Sequence, residues 1–255
     1  MDKKLVTVIT GTTGNPLLKD CIESVINQTH RPIQHLLYID GAERVEAVEK
    51  VLSSMQDTIK SAGEGYRLDI VKLPYPTGKD GYLAHKIYGS GTYVAAGDYV
   101  MFLDDDNYLD KTHVSNYMDV IKSGKQWAYS LRTIVDSSRN FLCLDNCESL
   151  GKWPSVMNQD DFFIDVNCYF LPKEIAIFIT PIWHFYGKFR DGNPEADRVI
   201  SRTVMEKFKN FDCTYKHTVY YTAGNTTQSV QPEFFRRGNE EMLRRYNGTL
   251  PWIKD

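Results

Sequence analysis

The 255-residue chain carries 30 basic and 33 acidic residues, and its formal net charge of -3 argues against nucleic-acid binding, which needs a basic excess. No apolar run approaches the roughly 20 residues that a membrane-spanning helix requires. The N-terminal residues lead into a strand-like segment without the apolar stretch of a signal peptide. We therefore expect a cytoplasmic protein.

Strand-like and helix-like segments alternate along the first part of the chain. Apolar, β-branched runs predict four strands, at 5–10, 34–39, 67–73 and 98–103. The segments between them carry apolar residues at helical spacing and predict helices at about 15–28, 43–61 and 83–96. This order predicts an α/β fold, a single domain with a mostly parallel central sheet flanked by helices.

Three polar clusters directly follow predicted strands. They are the loop 11–15, Asp40, and the acidic triplet, which is Asp104, Asp105 and Asp106. In open α/β sheets, ligands bind beyond the carboxyl ends of the strands. We therefore expect the three clusters to converge on one edge of the sheet.

The acidic triplet is the strongest chemical signal in the sequence. Three adjacent carboxylates repel one another at the end of an apolar strand unless a cation compensates their charge. A hard divalent ion held by one or two carboxylates and by diphosphate oxygens is a recurring arrangement at nucleotide sites. The triplet therefore predicts a metal-diphosphate site, and the alternative is a solvated acidic loop that caps the next helix.

Two segments together resemble the family 2 glycosyltransferases, which have the GT-A (Rossmann-like) fold and invert the anomeric centre. They are 24–29 (SVINQT) and 95–106 (AAGDYVMFLDDD). The resemblance extends well over about the first 125 residues and is thinner to about residue 230. With it, we expect a nucleotide-sugar-binding half at 1–110, an acceptor-binding half of the same domain at 111–230, and a C-terminal tail or lid at 231–255.

The resemblance implies roles for the polar strand ends. The residues implied to bind the nucleotide sugar are Thr10, Thr12, Asp40, Asp104 and Asp105. Asp106 is implied to ligate Mn2+ or Mg2+, with Asp104 and His217 as further metal ligands. The family often has Ala-Arg-Asn-x-Gly where this chain has 87–91 (IYGSG), so we expect Lys79, His85 or Lys86 to supply the missing positive charge near the diphosphate.

A second carboxylate group, 195–198 (EADR), resembles the family's Glu-Asp pair that opens a helix. Inverting transfer needs a general base that takes the proton of the acceptor hydroxyl. We expect Asp197 to be this base, with Glu195 as the second choice and Asp160, Asp161 and Asp165 as further candidates. The alternative is that Glu195 and Asp197 only favour the positive end of the helix.

The sequence thus predicts a metal-dependent glycosyltransferase that moves a sugar from a nucleotide-diphosphate sugar, with a UDP-sugar favoured, to an acceptor hydroxyl with inversion. The expected partners are a nucleotide-sugar donor and a glycan, lipid-linked sugar or protein acceptor. Basic residues at 234–237 and 244–245 predict a solvated helix face or peripheral contact with an anionic membrane surface. The sequence leaves the oligomeric state open.

Two other functions fit parts of the sequence. The loop 10–15 and the spacing of Tyr82 and Lys86 resemble a short-chain dehydrogenase. Leu17, however, stands where that family's third glycine permits helix packing and phosphate approach. The Tyr-Lys pair also precedes the fourth strand, too early for that fold. A non-catalytic nucleotide-sugar-binding protein of the same fold is the other alternative, and it would bind the donor without turnover.

Overall fold

A computed structural model describes residues 3–185, 196–225 and 229–254, and this part of the chain forms nine strands and nine α-helices. The strands are β1 Val6–Thr12, β2 Ile33–Ile39, β3 Tyr66–Lys72, β4 Tyr99–Phe102, β5 Tyr108–Leu109, β6 Trp127–Val135, β7 Phe141–Leu144, β8 Tyr169–Pro172 and β9 Phe211–Thr222. The helices are α1 Leu18–Ile26, α2 Val45–Ser54, α3 Gln56–Ser61, α4 His85–Val94, α5 His113–Lys122, α6 Lys173–Phe178, α7 Thr180–Phe185, α8 Ala196–Lys207 and α9 Pro232–Arg245. The nine strands join in one sheet, in the order β3-β2-β1-β4-β8-β6-β9-β5 with β7 on β6.

The first four strands form the parallel part of the sheet, and the α/β prediction is confirmed. β1 pairs in parallel with β2 and β4, and β2 pairs in parallel with β3. Successive side chains of a strand point to opposite faces, so Leu37 and Ile39 join a small apolar cluster with α1 and α2. Leu36 and Tyr38 face the main core instead. β2 is buried along its whole length because both faces of the sheet are covered.

The second half of the sheet is mixed, which differs from the mostly parallel sheet that the sequence predicts. β8 runs antiparallel to both β4 and β6, and β7 is also antiparallel to β6. β9 runs parallel to β6 and antiparallel to β5. The regular alternation of strands and helices ends after β4, and a strand as short as β5 carries no periodicity that a sequence can show.

Helix boundaries differ from the predicted ones at two places. The first helix begins at Leu18 rather than near Asn15, because the Asn15 side chain accepts a hydrogen bond from the Leu17 amide at 2.9 Å and forms a turn there. The predicted helix 43–61 is broken at Met55, whose side chain is fully buried in the small cluster. Within the described ranges, no helix combines the length and the apolar character needed to span a bilayer.

The sheet brings the carboxyl ends of β1, β2 and β4 side by side. The Leu103 amide donates to the Ile9 carbonyl at 3.0 Å, and the Asp40 amide donates to the Thr12 carbonyl at 2.9 Å. The loop after β1, Asp40 and the acidic triplet therefore lie at the same edge.

Candidate active site

A cavity of about 400 Å³ opens at this edge of the sheet. Its walls come from the loop after β1, the start of α4, the acidic triplet and the end of β9. Its polar lining residues are Thr12, Thr13, Asp40, Asp104, Asp105, Asp106, Asn107, Tyr221, Thr222 and Ser229. Three adjacent carboxylates thus form one wall of a cleft instead of facing bulk water, which disfavours the solvated-loop alternative.

Asp104 is held by two buried, neutral side chains. The Tyr88 hydroxyl donates to Oδ1, and the Asn167 amide nitrogen Nδ2 donates to Oδ2 at 2.8 Å. The Asp104 backbone amide donates in turn to Asn167 Oδ1 at 2.7 Å. Both carboxylate oxygens of Asp104 are therefore engaged by the protein.

Asp105 and Asp106 are also held by neutral donors. Thr12 Oγ1 donates to Asp105 at 2.5 Å, and Asn225 Nδ2 donates to Asp106 at 2.6 Å. The Thr222 hydroxyl donates to the backbone carbonyl of Asp106 at 2.5 Å. These contacts tie the triplet to the loop after β1 on one side and to the end of β9 on the other.

Burial raises the pKa of all three carboxyls, to about 7 for Asp104 and to about 6 for Asp105 and for Asp106. Neighbouring negative charge raises them further, since Asp106 and Asp165 act on Asp104 and Asp104 acts on Asp105. In the described part of the chain, the side chains that donate to these carboxylates are hydroxyl and amide groups without charge. The cavity wall therefore holds negative charge that these donors leave uncompensated.

This donor set fits Mn2+ or Mg2+, which are hard cations with a preference for carboxylate oxygens. Among the described residues, no group of three or more His, Cys, Asp or Glu side chains is arranged to hold a metal ion. The predicted ligand set of Asp104, Asp106 and His217 is therefore not brought together. Mg2+ at nucleotide sites is commonly bound by one or two carboxylates together with substrate phosphates, and this mode requires only Asp106 or its neighbour from the protein.

The structure does not bring His217 to the triplet. His217 pairs with Leu131 in the β6-β9 ladder and precedes Thr222 by about 16 Å of extended strand, at ~3.3 Å per residue. Burial lowers the pKa of His217 to about 4. Its Nε2 is buried and has no hydrogen-bond partner among the described residues. The register of β9 on β6 is the reason that this residue lies away from Asp106.

The two threonines predicted for the nucleoside pocket have different positions. Thr12 lines the cavity and contacts Asp105. Thr10 is fully buried, and its hydroxyl is 3.0 Å from Nε2 of His35 in the interior. Thr10 therefore does not reach the cavity, because strand alternation turns its side chain into the layer between the sheet and α1.

Asp40 lines the cavity and holds the loop that follows β3. Its Oδ1 accepts from the Thr77 amide at 2.6 Å and from the Thr77 hydroxyl at 2.9 Å, and its Oδ2 accepts from the Gly78 amide at 3.0 Å. Lys79 lies exposed on the turn after this loop, and His85 packs its ring against Trp183 at 5.2 Å between centroids. None of the three predicted cations, Lys79, His85 and Lys86, lines the cavity.

The general-base candidates fall into three situations. Glu195 lies outside the described residues. Asp197 lies in the first turn of α8, where its Oδ1 accepts from the Arg198 amide at 3.1 Å, and it does not line the 400 Å³ cavity. Asp161 forms an ion pair with Arg198 at 2.5 Å and lines a larger cavity of about 700 Å³ along α8.

A second group of buried charges surrounds Arg132 and was not predicted from the sequence. This Arg132 cluster consists of Arg132, Asp145, Glu148, Asp165 and Arg198. The guanidinium of Arg132 lies 2.7 Å from Asp145, 2.9 Å from Glu148 and 2.6 Å from Asp165. Arg198 adds a second cation, 3.0 Å from Glu148. The carboxylates of this cluster, unlike those of the triplet, have cationic partners.

Sequence reasoning also missed the side chains that hold the triplet, which are Tyr88, Asn167, Asn225 and Arg139. Arg139 Nη1 donates to the Asp106 carbonyl at 3.3 Å. Tyr88, Asn167 and Asn225 lie 16, 63 and 119 positions from their aspartate partners. Residues so far apart share no local sequence pattern. The one signal in the sequence was Tyr88, which stands where the resembled family has an arginine.

Comparisons with known proteins agree with this architecture. A model of the family described as Glycosyl transferase family 2 matches residues 7–209. No curated protein gives a significant match.

Solved structures match along nearly the whole chain. TarS 1-349 from S. aureus, in complex with UDP-GlcNAc, is 14% identical with a TM-score of 0.60, over 94% of this chain and 66% of that chain. The same protein in complex with UDP is 15% identical with a TM-score of 0.57, over 94% of this chain and 64% of that chain. Mannosyltransferase PcManGT from Pyrobaculum calidifontis, in complex with GDP-Man and Mn2+, is 14% identical with a TM-score of 0.57, over 98% of this chain and 66% of that chain.

The chain thus spans less than two thirds of the length of these proteins. At such identities the likeness establishes the fold, and the GT-A architecture expected from the sequence is confirmed.

Proposed function

The chain belongs to glycosyl transferase family 2, and we propose that it transfers a sugar from a nucleotide-diphosphate sugar, preferably a UDP-sugar, to an acceptor hydroxyl with inversion. The observation that carries this proposal is the acidic triplet, whose three partly buried carboxylates line the cavity at the strand ends. Charge concentrated in this way is stabilised when a divalent ion joins it to a diphosphate. Family membership also excludes the short-chain dehydrogenase alternative.

Donor binding is assigned to the residues at the cavity edge. Thr12 and Asp40 line the proposed nucleoside end, and Asp105 with Asp106 lines the proposed diphosphate end. Asp106 is the proposed protein ligand of Mn2+ or Mg2+, which when bound supplies positive charge that stabilises the leaving diphosphate. Fixed contacts of this kind orient the donor and remove the entropic cost of alignment during the reaction.

The proposed transfer is a single displacement. Asp197 accepts the proton of the acceptor hydroxyl while the hydroxyl oxygen bonds to the anomeric carbon. The bond from that carbon to the phosphate oxygen breaks at the same time, and the nucleoside diphosphate leaves with the bonding electrons. Attack opposite the leaving group inverts the anomeric centre. The proposed acceptor is a glycan, a lipid-linked sugar or a protein, and residues 111–230 are the proposed acceptor half.

The first test is a thermal-shift screen of nucleotide sugars with and without Mn2+. UDP-GlcNAc and GDP-Man begin the screen because structurally similar proteins bind them. A donor at about 100 times its Kd should raise the melting temperature by roughly 5–10 °C. Release of free nucleoside diphosphate with an acceptor mixture then separates an enzyme from a binding protein.

Two variants assign the effect to the site. Asp106→Ala should remove the Mn2+-dependent shift and turnover, whereas Asp119→Ala, at an exposed aspartate on α5, should behave like the unmodified protein. If Asp106→Ala retains donor binding and transfer in the presence of Mn2+, the triplet is not the metal-diphosphate site and the proposal fails.

A further inference from the structure

The environment of Asp104 is unlike that of its two neighbours. Both of its carboxylate oxygens accept hydrogen bonds from side chains that are almost completely buried, Tyr88 at 1% and Asn167 at 0% exposure. Among the described residues, Asp105 has one side-chain donor, the buried Thr12, and Asp106 has one, the half-buried Asn225. All three carboxylates line the cavity, but among the described residues only Asp104 is held by side chains through both carboxylate oxygens.

Tyr88 is held rigidly by aromatic neighbours. Its ring lies 5.1 Å from that of Phe102 and 5.6 Å from that of Trp183, measured between centroids. The ring packing fixes the direction of the hydroxyl, which points at Oδ1 of Asp104. Tyr88 can therefore donate to this carboxylate without adding charge, and its hydroxyl serves no other polar group among the described residues.

Asn167 is held just as firmly, and from both ends of its amide. Its Oδ1 accepts from the Asp104 backbone amide, and its Nδ2 donates to Asp104 and also to Asp165 at 2.8 Å. Asp165 is in turn paired with Arg132 at 2.6 Å. These partners determine the orientation of the amide. Asn167 therefore links the Arg132 cluster to the triplet through hydrogen bonds.

We propose that Tyr88 and Asn167 are positioning residues that act through Asp104. By fixing the Asp104 carboxylate and the adjacent backbone amide, they set the direction in which Asp105 and Asp106 face the cavity. Asp104 is then an anchor of the triplet and not a ligand of the metal. This inference rests on the proposed function, because it concerns the binding of a nucleoside diphosphate with a divalent ion at the same site.

The test is the affinity for UDP in the presence of Mn2+, measured by calorimetry on the full chain. Tyr88→Phe removes one hydroxyl and keeps the ring packing, so the variant should fold. Loss of a hydrogen bond to a charged group should weaken binding of UDP with Mn2+ by at least about 10-fold. Tyr117→Phe is the matched control, since it removes a buried hydroxyl that contacts Ser130 and the Cys168 carbonyl instead of the triplet.

A double-mutant cycle of Tyr88→Phe and Asn167→Leu shows whether both act through one carboxylate. If they do, their effects on the affinity for UDP with Mn2+ should be non-additive, whereas independent losses of stability should add. Urea unfolding of each variant supplies a separate readout of stability.

The outcomes are distinct. The inference is overturned if Tyr88→Phe binds UDP with Mn2+ as tightly as the unmodified protein, or no more weakly than Tyr117→Phe. Additive effects in the cycle would also overturn it. If the unmodified protein itself binds neither UDP nor GDP with Mn2+, the proposed function has failed, a result that the variants cannot mimic.

Discussion

Two groups of carboxylates in this protein, buried in the Arg132 cluster and partly buried in the triplet, differ in what surrounds them. In the Arg132 cluster, Asp145 and Asp165 lie within 2.7 Å and 2.6 Å of a guanidinium. In the acidic triplet, the donors in the described part of the chain are neutral, and burial raises the pKa of Asp104 to about 7. The negative charge of the Arg132 cluster is balanced by guanidinium groups of the protein. The carboxylates of the triplet line a cavity, where a bound cation could balance their charge.

This difference separates a structural charge cluster from a candidate site. Burying a carboxylate is costly unless a cation or several hydrogen bonds stabilise it. Within the Arg132 cluster, Asp145 has the cation and also accepts from the amides of Cys147, Glu148 and Ser149. The triplet has hydrogen-bond donors but no cationic side-chain partner among the described residues. Carboxylates that lack a cation and line a cleft are candidates for binding a ligand.

Replacing the central cation should have the largest effect. Arg132→Met retains much of the side-chain volume but leaves Asp145, Glu148 and Asp165 without their shared partner. Breaking a buried ion pair in this way should lower the free energy of unfolding by about 3–5 kcal/mol, measured by urea denaturation. Arg67→Met, which removes an exposed partner of Asp69, should cost less than about 1 kcal/mol. Equal midpoints for both variants would mean that the cluster does not depend on its cation.

Helix α8 carries neighbouring residues with different assigned roles. Arg198 belongs to the Arg132 cluster, whereas Asp197 is the proposed base. Asp197→Asn should reduce kcat by about 100-fold or more while leaving the affinity for UDP with Mn2+ unchanged. The measurement is steady-state kinetics beside calorimetry, with Asp119→Asn as the surface control. An unchanged kcat would assign the base elsewhere.

The pH dependence of stability should give the smallest effect. It distinguishes the triplet, whose carboxyls all have raised pKa values, from the Arg132 cluster. Unfolded aspartates titrate near 3.9, whereas Asp106 in the fold titrates at about 6 because of burial and the charge of Asp105. Between these values Asp106 binds more protons in the folded chain than in the unfolded chain. The contribution of Asp106 to the free energy of unfolding of the metal-free protein should therefore fall as pH rises from about 4 to about 7. Burial lowers the pKa of His35, His113 and His217, and these groups act in the opposite direction, so the contribution is measured against a variant.

Asp106→Asn should remove this contribution, so that the change in the free energy of unfolding from pH 5 to pH 7 is about 1 kcal/mol more positive than in the unmodified protein. Urea midpoints at both pH values, in the presence of a chelator, provide the comparison. Parallel changes of the midpoint with pH for the variant, the unmodified protein and Asp119→Asn would show that Asp106 has an ordinary pKa in the fold.

The sequence predicted the parts of the site that depend on local pattern. The four N-terminal strands were recognisable because buried parallel strands are continuous apolar runs, and ligand sites of such sheets lie at the strand ends. Thr12, Asp40 and the triplet accordingly line one cavity. Thr10 was misplaced, because its hydroxyl faces His35 in the interior.

The second half was less predictable since its contacts are not local. The mixed order of β8, β6 and β9 follows from packing rather than from any strand's own sequence. The position of His217 depends on the register of β9, which a one-residue slip would change. The Arg132 cluster joins residues whose charges look like ordinary surface charges in the sequence.

By itself, the sequence determined the α/β class, the family and the edge of the sheet where the acidic triplet stands, because strand periodicity and adjacent residues encode these features. Tertiary structure alone decided which carboxylate oxygens of the triplet accept hydrogen bonds from the protein. Tyr88 and Asn167 reach Asp104 from 16 and 63 positions away, and the direction of a hydrogen bond between distant residues exists only once the chain has packed.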